Sequence, residues 1–122
     1  MSRIEQLNKV LADLLASSSD VEASAVVSED GLIMASALPQ NVEEARVAAM
    51  SAAMLSMGVR TAMELNRGTL QQLFVRGDNG FIVIMQAGTH GVLVGLARKE
   101  AKLGLLFLDM SRAAEQTAAI LA

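Results

Sequence analysis

The sequence predicts an α/β (α+β) domain, a five-stranded, mostly antiparallel sheet with helices on both faces, in the order α-β-β-α-β-β-β-α. Three observations carry this reading. Apolar residues recur at helical spacing near both ends of the chain and in its middle. Between those segments lie short apolar runs bounded by Gly, Asp and Asn turn signals. The last two runs, Phe81-Ile82-Val83-Ile84-Met85-Gln86 and Val92-Leu93-Val94-Gly95-Leu96-Ala97, are apolar almost without a break. Strands of that kind need cover on both faces of their sheet.

The elements follow in order. Ser2 and Glu5 have capping-box spacing, and Ile4, Leu7, Leu11 and Leu14 continue a helix that should end near Ser17-Ser18-Ser19. Residues 23–37 read as a hairpin around Glu29-Asp30-Gly31, because Asp-Gly favours the positive φ angles of a tight turn. Asn41 and Glu44 give a second box-like helix start, and Gly68 is the expected stop. Strands are expected at 69–76, 81–86 and 92–97, separated by Gly77-Asp78-Asn79-Gly80 and Gly88-Thr89-His90-Gly91. A last helix carries Leu103, Phe107, Met110, Ala114, Thr117 and Leu121 on one stripe. The two terminal helices are expected to share one sheet face and the middle helix to cover the other alone. The length fits one domain, residues 1–122.

The middle helix, 42–66, is the most informative segment. Its charges are Glu43, Glu44, Arg46, Arg60 and Glu64, and none falls in the thirteen residues between the two arginines. A helix apolar nearly all round is normally buried on several sides, and a domain of 122 residues has few places to do so. The surplus points to a protein partner. At 100° per residue, Ala48, Ala52, Leu55, Val59 and Ala62 share the face assigned to the sheet. A neighbouring stripe holds Ser51, Met54 and Gly58. Gly58 inside a helix costs up to about 1 kcal/mol relative to Ala, which a close helix–helix contact would offset, so these three are expected at a dimer seam. Arg46, Met50, Ala53, Met57 and Arg60 occupy the remaining face and form the candidate partner-binding patch. Flexible Met side chains adapt to partner surfaces, although a Met stripe also serves ordinary packing.

Composition removes several classes of function. Net charge is −3, no basic run is present, and Phe74, Phe81 and Phe107 are the only aromatic residues. That excludes a nucleic-acid interface, which needs a positive footprint and stacking platforms. Hydrophobic content is 52%, yet no apolar run reaches the roughly 18 residues of a membrane span, so no membrane insertion is expected. No signal-type block follows the N-terminus, and the expected setting is cytoplasmic. Without cysteine, disulfides and thiolate metal sites are excluded. His90 is the single histidine, poor material for a metal site, and no serine sits in a Gly-x-Ser-x-Gly elbow. No enzyme, cofactor or metal is expected. Arg46 and Arg60 read as solvated helix arginines rather than catalytic fingers.

The order of elements, the segment Ala25-Val26-Val27-Ser28-Glu29-Asp30-Gly31-Leu32-Ile33-Met34-Ala35-Ser36, the Ala-rich helix 45–63 and Leu93-Val94-Gly95-Leu96-Ala97 together resemble the roadblock / dynein light chain superfamily, related in fold to longin and profilin-like domains. The resemblance spans about residues 4–121. It implies a homodimer joined through the third strand, with the two second helices side by side. Gln71, Leu73 and Val75 suit that edge: Gln71 and Arg76 discourage indiscriminate pairing, while Leu73 and Val75 pack across a specific one. The resemblance also implies a Ras-like small GTPase as partner, modulated by a non-catalytic adaptor. Two alternatives remain open, a small-molecule-sensing regulatory domain and a structural subunit of a larger assembly.

Overall fold

The computed structural model describes residues 1–122. Its elements are α1 (Arg3–Ser17), β1 (Val21–Ser28), β2 (Ile33–Ala37), α2 (Glu44–Glu64), β3 (Leu73–Gly77), β4 (Gly80–Ala87), β5 (Gly91–Arg98) and α3 (Leu103–Leu121), the predicted order. The sheet runs β2-β1-β5-β4-β3 and every neighbouring pair is antiparallel. The strands at both edges, β2 and β3, are five residues long, shorter than the three between them.

The two faces are covered unequally. Helices α1 and α3 pack against each other and onto one face, α1 over β1 and β2, α3 over β4 and β5. Between them and the sheet lies the larger core, built on Leu7, Leu11, Val26, Val83, Leu93, Leu106 and Met110. Gly95 and Gly91 let α3 come close: a Cβ at Gly95 would meet Met110 Sδ at 2.6 Å, and one at Gly91 would meet Leu121 Cδ1 at 2.5 Å. On the other face α2 is alone, over a smaller core of Val27, Ala48, Leu55, Ile84, Val92 and Val94. Strict alternation along β4 divides its residues, Phe81 and Val83 to the larger core, Ile82 and Ile84 to the smaller.

Helix α2 crosses the strands rather than following one. Ala48, Ala49 and Ala52 lie beside Gly31 at the β1–β2 loop, whereas Gly58 lies against Leu73 at the start of β3. Ten helical residues span about 15 Å, and the three strand spacings from β1 to β3 span about 14 Å. The helix therefore reaches the β3 edge near Gly58, and its last turns run on beyond it. It ends in a Schellman motif: Asn66 takes φ 59°, Arg67 N–H donates to Ala62 O and Asn66 N–H to Met63 O.

Several local expectations need correction. The left-handed residue that stops α2 is Asn66, and Gly68 follows it. Asn41 is not the N-cap; Glu43 holds that position with no side-chain cap bond. Ser2 caps α1 by accepting from Glu5 N–H at 3.1 Å. Strands β1 and β2 are joined by the four residues 29–32, a wider loop than the tight turn expected at Asp30-Gly31, and Ser28 Oγ accepts from Leu32 N–H across it. The third strand begins at Leu73, not 69, since Leu70 first tucks against Gly58. In α3 the fully buried positions include Leu106 and Ala113, while Leu103 and Phe107 are half-buried.

Asp20 fastens one end of the sheet. It is 2% exposed; its carboxylate accepts from Arg98 Nε at 2.9 Å and from Lys102 N–H at 3.2 Å, and its carbonyl accepts from Arg98 N–H. One residue thus ties the start of β1 to the end of β5 and the start of α3. The Arg98 hydrogen bond is the main cause holding the carboxyl below its usual range; burial acts in the opposite sense, and the Lys102 amide and the charges of Arg98 and Lys102 add to the lowering. A carboxyl with a depressed folded-state pKa contributes stability above its unfolded value of about 4, which is lost as pH falls through the folded value. Asp20→Asn is therefore expected to flatten the acid limb of the stability–pH curve below about pH 4, read by urea titrations at a series of pH values. An acid limb as steep as that of the parent chain would refute this.

Candidate functional site

The outward face of α2 is built by the 3.6-residue repeat. With Ala48 and Leu55 turned to the sheet, Met50 and Met57 must point away, and they are 53% and 61% exposed. Ala53 is exposed between them. Arg46 and Arg60 bracket the patch. Each is tethered along the helix, Arg46 to Glu43 at 3.6 Å and Arg60 to Glu64 at 2.8 Å. The five predicted partner-binding residues thus form one continuous strip, apolar in the middle and charged at both ends. Exposed pairs of this kind add little stability, and they leave the guanidinium groups accessible to a docking protein.

The predicted dimer-seam residues divide. Leu73 and Val75 lie on the α2 side of the edge strand β3, and Val75 is 38% exposed. Met54 is half-buried on the flank of α2. Ser51, however, is buried within the protomer. Gly58 serves its own chain: a Cβ there would approach Leu70 and Leu73 Cδ2 atoms at 3.3 Å. Its missing side chain accommodates the segment leading into β3, so Gly58→Leu would strain the protomer itself. Gln71 lies outside the strand, exposed, its side chain within 3.5 Å of Thr69 O.

Three groups of exposed apolar residues lie outside the site residues assigned from the sequence. Met63 and Leu65, both 64% exposed, sit on the part of α2 and its cap that overruns the β3 edge. Phe74 is on the opposite face of β3, with ring centroids 5.5 Å from Phe107 and 6.1 Å from Phe81. Leu105 and Leu108 are exposed on α3. The signal was present for α2, whose apolar residues run through Leu65, and absent for Phe74, whose contact with Phe107 on α3 leaves no local pattern.

The remaining candidates are polar and open. His90 Nδ1 lies 3.0 Å from Glu29 Oε1 on the surface and, with Glu29 N–H donating to His90 O, ties the β4–β5 turn to the β1–β2 loop. A shallow depression lined by Arg76, Gly77, Asp78, Phe81, Lys99 and Glu100 has one apolar residue, so it lacks the apolar walls of a small-molecule pocket. No helix is long and apolar enough to cross a membrane.

A sequence model of the Roadblock/LC7 domain matches residues 7–97. The chain belongs to the Roadblock/LC7 domain family. It is 40% identical over 100 residues to the uncharacterized protein MJ1340 of Methanocaldococcus jannaschii, covering 82% of this chain and 87% of that one. Among solved structures, this Roadblock/LC7 domain is similar to MglB of Myxococcus xanthus, with a TM-score of 0.88, 20% identity, and coverage of 99% of this chain and 91% of that one. It is similar also to profilin II of Acanthamoeba castellanii, with a TM-score of 0.60, 12% identity, and coverage of 93% and 97%. At such identities the structural likeness concerns the fold, and it agrees with the roadblock and profilin-like architecture expected from the sequence.

Proposed function

We propose that this Roadblock/LC7 domain is a non-catalytic homodimeric adaptor that binds a Ras-like small GTPase through the outward faces of its two α2 helices and modulates the nucleotide cycle. The observation that carries this reading is the exposed strip Met50–Ala53–Met57 between Arg46 and Arg60. Clustered apolar surface with charged ends is the anatomy of a docking site. The family resemblance supplies the partner class.

Self-association is supported by two matching incompletenesses. Strand β3 is an unpaired edge. Pairing it with a second copy over its whole length, antiparallel, puts Val75 on the dyad and Leu73 opposite Gly77 of the partner. On the α2 side, the sheet half carrying Val75, Ile82 and Leu96 has no helix over it and forms an open hollow with Gly77, Asp78 and Asn79. The overrunning end of α2, with Met63 and Leu65, would then lie above that hollow in the partner, and reciprocally. Val75→Glu apposes two carboxylates at the dyad and is expected to give a monomer by sedimentation equilibrium at concentrations where the parent chain is dimeric. An unchanged dimer would mean that the edges do not pair.

The GTPase reading is tested with purified Ras-like GTPases encoded in the same genome, loaded with GDP or a non-hydrolysable GTP analogue and titrated with the dimer by calorimetry. Saturable binding that prefers one nucleotide state supports the adaptor. Absence of binding to every such GTPase in both states would remove it.

A further inference from the structure

Helix α2 crosses its sheet face obliquely and leaves two corners of it uncovered. One, beside Val75, Ile82 and Leu96, is the hollow described above. The other lies where the β1–β2 loop meets the β4–β5 turn, and it is complete within one protomer. There the register sets Val27, Val92 and Gln86 side by side on β1, β5 and β4. All three lie on the α2 face of the sheet, but the helix buries Val27 and Val92 and leaves Gln86 exposed. The result is a cleft of about 390 Å³. Its apolar lining is Val92 on the sheet and Ala52, Leu55 and Val59 on the helix. Its rim carries Glu29, Asp30 and Thr89 from the two loops and Ser56 from the helix, all exposed. The charge of that rim is of one sign, since no Lys or Arg lines the cleft. The adjoining Arg60 is engaged by Glu64 at 2.8 Å. His90 holds Glu29 Oε1 at 3.0 Å. The other oxygen of Glu29 and the whole carboxylate of Asp30 have no ion-pair partner.

A carboxylate rim repels phosphate and other anions. Over an apolar lining it fits a cation carried on an aliphatic stem, which buries its methylenes and keeps its charge in the open. Lysine and arginine side chains have that build. The cleft also adjoins the docking strip, because Ser56 follows Ala53 by three residues and the two are neighbours on the helix surface. A protein seated on Met50, Ala53 and Met57 therefore passes over the mouth of the cleft. We infer that the cleft takes one basic side chain of the protein docked on α2, its stem on Leu55, Val59 and Val92 and its charge between Glu29 and Asp30. The inference rests on the proposed docking strip and adds selectivity to it. Apolar contact of the kind the strip supplies is available on many surfaces; a cation beside that contact is a narrower demand.

The test has two arms. In the first, the isotope-labelled chain is titrated by NMR with n-butylguanidinium, a stem and cation with no protein attached, and with butyrate, a similar stem of opposite charge. A ligand this small is expected to bind in the millimolar range, shifting the amide resonances of Asp30, Leu55 and Val92, while butyrate leaves them in place. Asp30→Asn should weaken n-butylguanidinium about threefold, the scale of one exposed ion pair. In the second arm, calorimetry uses the GTPase that binds in the titrations described above. Asp30→Lys should lower its affinity at least tenfold, since like charges placed across an interface repel. Asp13→Lys changes the net charge equally but sits exposed on α1, over the other sheet face, and should shift affinity less than twofold. Urea titrations check that each variant is folded. If n-butylguanidinium binds no better than butyrate, the cleft is overturned and the strip stands. If n-butylguanidinium binds but Asp30→Lys leaves GTPase affinity unchanged, the cleft takes free small cations and the docked side chain is overturned. Equal losses from Asp30→Lys and Asp13→Lys would reduce the effect to long-range attraction and overturn it as well. A chain that binds no Ras-like GTPase overturns the strip and the inference together.

Discussion

Replacing Met50 and Met57 together with glutamate is expected to abolish the proposed GTPase binding, lowering affinity more than a hundredfold, while the domain stays folded. Both side chains are more than half exposed, so their loss removes little from the core, and surface changes of this kind usually shift stability by under about 0.5 kcal/mol. Glutamate and methionine are also similar as helix formers. In a complex the balance differs. Central apolar anchors of an interface cost about 2 kcal/mol or more when lost, and a carboxylate buried there without a partner costs further. Calorimetry of the variant against the cognate GTPase, beside a urea titration of the free protein, reads both halves. Retained affinity would move the site off α2. A large drop in stability would show that the methionines serve packing, the plainer reading of a Met stripe.

The second large effect concerns the edge strand. Gly80 sits at the β3–β4 turn with φ 148°, a conformation that side chains rarely adopt. A Cβ there would run into the carbonyl oxygen of Ala97 on β5, which is backbone and cannot swing aside. Gly80→Ala combines left-handed strain with a clash inside the β4–β5 ladder, and a loss on the order of 3 kcal/mol is expected. Because the same turn returns β3 onto β4, the edge strand should loosen first, and the proposed dimer should weaken at protein concentrations where the fold persists. Guanidinium unfolding followed by circular dichroism, with sedimentation in parallel, tests this. Parent-like stability would mean that the turn relaxes at little cost.

How much of this was legible in the sequence depended on how local the cause was. The order of elements was legible because each announces itself within its own residues, by period or by turn signal. The faces of α2 were legible too: the 100° repeat put Ala48 and Leu55 inward and Met50 and Met57 outward, as found. Reasoning failed where the deciding neighbour was far away. Ser51 sits at the border of the buried sector of α2 and falls inside it. Gly58 suggested a helix–helix contact, yet what fills the space is Leu70 and Leu73. Gln71 was assigned to an edge strand that starts two residues later. Helix α3 opens with Leu103, Leu105, Leu106, Phe107 and Leu108, apolar in several directions, so periodicity alone did not fix its inner face. Asp20 and Arg98 are 78 residues apart and carry no pattern that joins them.

The close seating of α3 bears on how the domain would meet a partner. Met110 and Leu121 occupy the spaces that Gly95 and Gly91 leave open, so the helix can neither slide nor roll without emptying them. Interiors that are filled in this way have discrete arrangements rather than continuous give. What docks on this protomer therefore meets a face already set, and little ordering of α3 is left to oppose the association.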